Sequence, residues 1–274
     1  MFKLEIRKLR KVFEDLKRGN IPVLGGVDLA VKKKEFVSIL GPSGCGKTTF
    51  LQIIAGLEQP TGGEILFEGK NNNSLEKKCG IVFQEYALFP WLTVRGNIEF
   101  GPKMHGIPKK ERRQIAQNFI ELVGLKGFED HYPHEISGGM RQRVAIARAL
   151  ANDPDILLMD EPFAAVDAQL REILQQELLK IWQQTGKTIL FVTHNIDEAI
   201  FLGDKIAVMT ARPARIKEVV QVDLPRPRKQ ETRVSPRFYE LDRYVRELVW
   251  EEAENMLELG RYGQGKRISS SRGV

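Results

Sequence analysis

Hydrophobic and polar residues follow two periods along this chain. Leu4, Ile6 and Leu9 alternate with Lys3, Glu5 and Arg7 over residues 3–13, which predicts a half-buried strand. Val27–Val31 is strand-like and lies between the turn signals Lys17-Arg18-Gly19-Asn20 and Lys32-Lys33-Lys34. Glu64–Gly69 reads as a strand of a small β layer, followed by a loop at Asn71–Ser74. Short apolar runs recur at Phe36–Leu40, Gly80–Gln84, Ile156–Asp160, Thr188–Val192 and Lys205–Met209, the mark of strands buried on both faces. Between them the period turns helical. Thr49–Leu57 is stopped by Pro60-Thr61-Gly62-Gly63. Thr93–Leu125 carries Ile115, Phe119 and Leu122 at helical spacing, with Pro102 and Pro108 as breaks. Met140–Leu150 and Ile196–Leu202 follow the same rule. Asp167–Gln184 places Leu170, Ile173, Leu174, Leu178 and Ile181 on one face, with Gly186 as its stop.

Alternating strands and helices predict an α/β fold with a mainly parallel core sheet. A small antiparallel β layer precedes it, and a helical subdomain is inserted at about 85–150. Ile216–Val222 reads as one more strand, which closes a domain at 1–222. Residues 223–274 read as an appendage. Leu224-Pro225-Arg226-Pro227-Arg228 is expected to be an extended linker. Ser235 caps a helix with Pro236 in its first turn and Phe238, Leu241, Val245 and Leu248 on one face. The tail around Ser269-Ser270-Ser271 is expected to be disordered.

Composition narrows the class. Of 274 residues, 42% are hydrophobic and 28% charged, which suits a soluble globular chain with a sizeable core. The net charge of +6 gathers late, at Arg226, Arg228, Lys229, Arg233 and Arg237, then at Arg261, Lys266, Arg267 and Arg272. Such a skirt suits nucleic acid, an anionic membrane surface, or simply solvent. Two cysteines, Cys45 and Cys79, make neither a disulfide framework nor a zinc site. The N-terminus lacks a signal peptide's apolar core, and no run reaches the ~20 apolar residues of a spanning helix. The chain reads as cytosolic, with any membrane link made through a partner.

The chemistry centres on Gly41-Pro42-Ser43-Gly44-Cys45-Gly46-Lys47-Thr48-Thr49. This is G-x-x-x-x-G-K-[ST] between a strand and a helix, the context a phosphate-binding loop requires. Glycines let backbone N–H groups turn inward, and the helix start adds its positive end. Lys47 would reach the β- and γ-phosphates, and Thr48 would offer its hydroxyl to Mg²⁺. Asp160 closes a buried strand and is placed to hold Mg²⁺. Glu161 beside it can polarise a water for in-line attack. Ser137-Gly138-Gly139 opens another helix, either as an ordinary cap or as a second phosphate device. Gln84 ends a strand, where its amide reaches metal or water, or merely solvent. His194 follows the strand at 188–192. His131 and His134 lack further ligand partners.

Taken together, these pieces resemble the ATPase subunit of an ATP-binding cassette transporter from about Leu4 to Val222. Gly41–Thr48 matches that family's Walker A motif, Gln84 its Q-loop, and Ile136-Ser137-Gly138-Gly139-Met140 its signature. Ile156–Asp160 with Glu161 matches Walker B and the catalytic glutamate. Ala164-Ala165-Val166-Asp167 matches the D-loop, and His194 the switch histidine. Ile136, Met140 and Ala164 depart from the usual Leu, Gln and Ser. The resemblance implies ATP and Mg²⁺ as cofactors, with Phe13 stacking on adenine. Glu161, His194 and Gln84 are then catalytic, and Thr48, Gln84 and Asp160 hold the metal. Ser137, Gly138, Gly139 and Asp167 complete the nucleotide site of a second copy in a head-to-tail homodimer.

Leu88–Val94, Thr210–Ile216 and Asp223–Arg228 resemble the nitrate, sulfonate, taurine and bicarbonate importer group. That implies integral membrane permease partners, an extracytoplasmic solute-binding protein met indirectly, no nucleic acid, and a peripheral place on the cytoplasmic face of the membrane. The alternatives are a nucleotide-driven clamp on DNA or the ribosome, and a P-loop kinase. Cys45 lies inside the loop, so thiol alkylation is expected to block ATP binding. Trp91 is expected in a groove, near Gln84, that passes motion to the membrane subunit.

Overall fold

All the apolar runs read as buried strands enter one sheet of the computed structural model, which describes residues 2–15, 19–71, 79–164 and 166–268. These are β3 (Phe36–Leu40), β6 (Cys79–Val82), β7 (Ile156–Asp160), β8 (Thr188–Thr193) and β9 (Lys205–Met209). With β10 (Ile216–Gln221) at one edge, the order is β10-β9-β3-β8-β7-β6. Every pair is parallel except β9 with β10. Period-2 geometry divides the side chains between two cores. Phe36, Leu157, Met159, Ile189, Phe191, Ile206 and Val208 face the helices. Val37, Ile39, Ile156, Leu158, Leu190, Val192, Ala207 and Met209 face the β layer and the helix after the glycine loop. A sheet covered on both faces explains why these runs are continuous rather than alternating.

The β layer consists of β1 (Phe2–Asp15), β2 (Gly19–Lys32), β4 (Gly62–Phe67) and β5 (Lys70–Asn71), all antiparallel, in the order β2-β1-β4-β5. β2 is far longer than the run at 27–31, because it pairs with β1 along nearly its whole length. Gly19 and Asn20, expected in a turn, already belong to it. Lys17, Arg18, Ala165, the loop positions 72–74 and the serines at 269–271 lie outside the described residues.

The helices are α1 (Lys47–Ile54), α2 (Val94–Met104), α3 (Lys109–Leu122), α4 (Gly138–Leu150), α5 (Ala168–Thr185), α6 (Ile196–Leu202) and α7 (Pro236–Ile268). Pro102 does not break α2. It lies in the last turn on the buried stripe of Val94, Asn97 and Ile98, where little helix remains to lose. Pro108 does mark a boundary, as the residue before α3. Ile173 leaves the apolar face of α5 and is 55% exposed, while Leu174, Leu178 and Ile181 are buried. Gly186 ends α5 in the left-handed conformation (φ 59°).

The segment expected to be an extended linker has no regular structure and bends at Arg226-Pro227, and it is not free. Leu224 and Arg228 are each 5% exposed. Ser235 Oγ accepts from the Phe238 N–H and caps α7. Phe238, Leu241 and Val245 then enter the same core as the sheet, at about 2 kcal/mol of burial each. Among the described residues no helix is long and apolar enough to cross a membrane.

Candidate functional site

Strand register assembles the site. β8 pairs with both β3 and β7, with Leu40 opposite Thr193 and Asp160 opposite Val192. The carboxyl ends of three neighbouring strands therefore deliver the glycine loop, His194 and Asp160-Glu161 to one edge, where open α/β sheets place their ligands.

The loop is shaped from below. Cys45 is fully buried, and Gly41 packs against Met209, whose carbonyl would lie 3.0 Å from any Cβ added there. Gly46 has a φ of 123°, and a Cβ there would meet Val23 Cγ1 at 2.8 Å. Gly44 has a φ of 76° and open space beside it; Ser43 is exposed. α1 starts at Lys47 with no side-chain cap and no acid in its first turn, so first-turn N–H groups stay unclaimed. Lys47 is 5% exposed and donates to the Gly41 and Pro42 carbonyls at 2.8 and 3.1 Å. Its Nζ lies 3.9 Å from Glu161 Oε1. Thr49 is half-buried in α1. Cys45 shapes the loop by its backbone, and its thiol points into the core. Burial pushes that thiol's pKa up, so alkylation of the native loop, expected from sequence, has no reachable thiolate.

Thr48 Oγ1 donates to Asp160 Oδ1 at 3.2 Å. Burial raises the Asp160 carboxyl pKa, and the Thr48 hydrogen bond opposes the shift. Glu161 takes a φ of 45°, a conformation that costs a non-glycine residue about 1–3 kcal/mol. Its N–H is tied to the Val192 carbonyl at 3.0 Å, and its Oε2 lies 2.8 Å from His194 Nδ1. Strain is held where the carboxylate must meet the histidine.

Gln84 lies past the end of β6, not within it, because pairing with β7 stops at Val82–Met159. It lines a cleft of about 340 Å³ with Thr48, Leu51, Leu57, Phe83 and Asp160. Tyr86 and Ala87 beyond it are left-handed (φ 59° and 48°), and Arg148 of α4 holds both carbonyls. Trp91 is 70% exposed and stands against Phe89, outside that cleft. Phe13 is half-buried on β1 opposite Ile21, with Lys11 Nζ 4.6 Å above its ring. Ser137 Oγ accepts from the Met140 N–H at 3.3 Å and so caps α4. The atoms nearest Gly138 and Gly139 belong to Tyr86, Arg141 and Leu170, and these glycines do not line the cleft at Thr48. Asp167 caps α5 by accepting from the Leu170 N–H at 3.0 Å.

Sequence reasoning missed the support behind His194. Thr193 Oγ1 donates to Glu198 Oε2 at 2.6 Å and accepts from the Asn195 N–H at 3.0 Å. Asn195 caps α6 by accepting from the Glu198 N–H at 3.2 Å. Arg171 approaches Glu198 at 3.7 Å and donates to the Val166 carbonyl at 2.8 Å. Asn195 followed three residues later by Glu198 was the available signal. Asn97 was missed as well. It is fully buried, it donates to the Phe89, Leu92 and Thr93 carbonyls, and its Oδ1 accepts from the Phe89 N–H.

A loop that leaves a helix start uncapped, beside a buried lysine and a threonine bonded to a carboxylate, has the donors a polyphosphate needs and nothing of its own to satisfy them. The fold and this edge define a P-loop nucleoside triphosphatase. Within that class the ABC transporter family matches residues 24–164, and the chain belongs to that family, in the group of taurine, sulfonate and nitrate import proteins. An aliphatic sulfonates import ATP-binding protein of Bacillus cereus is 47% identical over 82% of this chain and 88% of its own. A nitrate import ATP-binding protein of Synechocystis sp. is 46% identical over 81% and 83%. A taurine import ATP-binding protein of Roseobacter denitrificans is 42% identical over 93% and 96%. Among solved structures, a dimeric ATP-binding cassette in a post-hydrolysis state with ADP and Pi superposes with a TM-score of 0.69. It is 36% identical, over 80% of this chain and 98% of that one. These relatives give the clamp alternative no support.

Proposed function

We propose that this chain is the ATP-hydrolysing subunit of an ABC importer for a small anionic or organic solute of the taurine, sulfonate and nitrate kind. The observation that carries the chemistry is the strained Glu161, 2.8 Å from His194 and 3.9 Å from Lys47 at the open end of the loop. Gly41–Thr49 would cradle the phosphates, Lys47 the β- and γ-phosphates, and Phe13 the adenine. Thr48, Asp160 and Gln84 offer the hard oxygen donors that Mg²⁺ takes, and the ion when bound would neutralise phosphate charge. Glu161 accepts a proton from water as the water oxygen bonds to the γ-phosphorus and the bond to the ADP oxygen breaks. His194 holds the γ-phosphate in line.

Ser137–Gly139 and Asp167 act across the face of a second copy, a role supported by the dimeric relative. ATP favours the closed pair because the γ-phosphate is held from both sides, and its loss reopens the pair. The apolar cleft beside Gln84, with Leu57 and Phe83 on its rim, is where a membrane permease would dock. The chain would then sit on the cytoplasmic face, with a solute-binding protein on the far side of the permease.

Glu161→Gln tests the chemistry. Expected are retained ATP binding, a trapped dimer in size-exclusion chromatography, and a loss of turnover of about 100-fold or more. Near-normal steady-state hydrolysis would remove Glu161 from the role.

A further inference from the structure

We propose that residues 226–233 form a strap that positions His194 by fixing α6 at both ends, with Arg228 its central positioning residue. The proposal rests on the reading of His194 as the γ-phosphate contact. α6 has seven residues, too few to stand alone in water. Its last carbonyls need partners from elsewhere, and nearly all come from the strap. Arg228 Nη1 donates to the carbonyls of Ile200, Phe201 and Gly203 at 3.0, 3.0 and 2.7 Å. Arg226 takes the Leu202 carbonyl at 2.8 Å, pairs with Asp204, and lies 4.2 Å above the Trp182 ring. Among the described residues, the Ala199 carbonyl is served otherwise, by the Gly203 N–H and Ser38 Oγ. At the opposite end Arg233 pairs with Asp197 in the first turn, and its guanidinium lies 3.9 Å over Phe201.

His194 immediately precedes Asn195, the cap of this helix. Its side chain is 55% exposed, so little besides Glu161 and the backbone holds it. A shift of α6 therefore moves His194. The Arg-Pro-Arg stretch that sequence alone reads as a linker becomes a device that links α7 to the switch position.

The test measures steady-state and single-turnover ATPase on the full chain. Arg228→Met is expected to lower kcat by about tenfold, in line with the sensitivity of catalysis to small misplacements. KM should stay within about twofold, since the glycine loop is untouched, and Arg228→Lys should recover part of the loss. In a His194→Ala background, Arg228→Met should add less than about twofold. An unchanged kcat in Arg228→Met, or an equal loss in the His194→Ala background, overturns the strap. Full turnover in His194→Ala alone overturns the reading of His194 instead. Arg233→Gln carries the same expectation from the other end of α6, and decides the matter if Arg228→Met does not fold.

Discussion

α1 and α4 both start beside glycines, Gly46 before one and Gly138 opening the other, and they treat their first turns in opposite ways. α1 follows Gly46 with no side-chain cap and no acid in its first turn. α4 follows Ser137, whose hydroxyl takes the Met140 N–H. Both starts carry the same partial positive charge. What separates them is whether the sequence has already supplied the acceptor. In one chain, therefore, only the α1 start is a ready phosphate site. At the α4 start its own serine already takes one N–H, and the proposed use across a dimer requires Ser137 Oγ to trade Met140 for a phosphate.

The largest break in this contrast comes from adding one methyl group at each start. Gly46→Ala forces a Cβ into Val23 and into a backbone conformation that costs about 1–3 kcal/mol. Nucleotide affinity should fall by about 100-fold in a fluorescent-analogue titration. Gly138→Ala meets the Tyr86 hydroxyl at 3.5 Å and Arg141 Nη2 at 3.8 Å, both ordinary contacts, with no positive φ. Monomer binding should stay within about twofold, and any loss should appear only in dimer-dependent hydrolysis. Equal effects at both sites would end the distinction between an open and a closed start.

A smaller effect sharpens the contrast. Ser137→Ala removes the cap and should destabilise the chain by about 1 kcal/mol in urea unfolding. Ser137→Asp keeps a capping oxygen and should restore stability. It should nevertheless abolish cooperative ATP hydrolysis, because a fixed negative charge occupies the phosphate's place. If Ser137→Asp hydrolyses ATP normally, the α4 start never meets a phosphate.

The same contrast explains what was legible in sequence. The glycine loop, its flanking strand and helix, and the acids at 160–161 were readable because each is written in a few adjacent residues. Gly46 must be glycine for reasons of φ, and its neighbours announce it. Residues whose role depends on distant contacts were not readable. Arg228 looks like part of a solvated basic run, yet it is buried where the carbonyls of Ile200 and Phe201 in α6 and of its cap Gly203, more than 24 residues back, take its donors. Ile173 matches the helical period but falls on a mainly exposed side of α5, 55% exposed. The apolar run continues to Phe83 and so extends the expected strand to Gln84, whereas pairing with β7 decides where β6 ends. Met140 departs from the usual signature residue, yet its N–H still serves the Ser137 cap, a backbone role indifferent to side chain.

Asp160 gives a further, smaller test, of the price of readiness at the open start. Burial holds its folded-state pKa above the unfolded value of 3.8. Folding therefore takes up a proton between the two values, and the ionised carboxylate opposes folding increasingly as pH rises through that interval. Asp160→Asn should raise the melting temperature of the nucleotide-free chain at pH 8 by about 1–2 °C. The gain should shrink as pH falls through that interval and be gone below 3.8. It should be lost in the presence of Mg²⁺ and ATP, which stabilise the wild-type chain by binding. A lower melting temperature at pH 8 would mean that the Thr48 hydrogen bond outweighs burial.

The least visible effect is a reaction that should not occur. The open start follows a loop packed from beneath, where Cys45 is fully buried with its pKa raised by burial. Cys79 is partly exposed, but burial pushes its thiol up to about 12. Neither offers thiolate near pH 8, so a maleimide should label native protein slowly at both positions. Labelling at Cys45 should follow the rate of loop opening, and denaturant should raise it to the rate of a free thiol. ATP should slow it further only if the closed loop and the bound loop differ in opening rate. Rapid labelling of native Cys45, resolved from Cys79 by peptide mass, would show that the loop opens without nucleotide. The donors at the α1 start would then be assembled by the phosphate rather than waiting for it, and the difference between α1 and α4 would be one of degree.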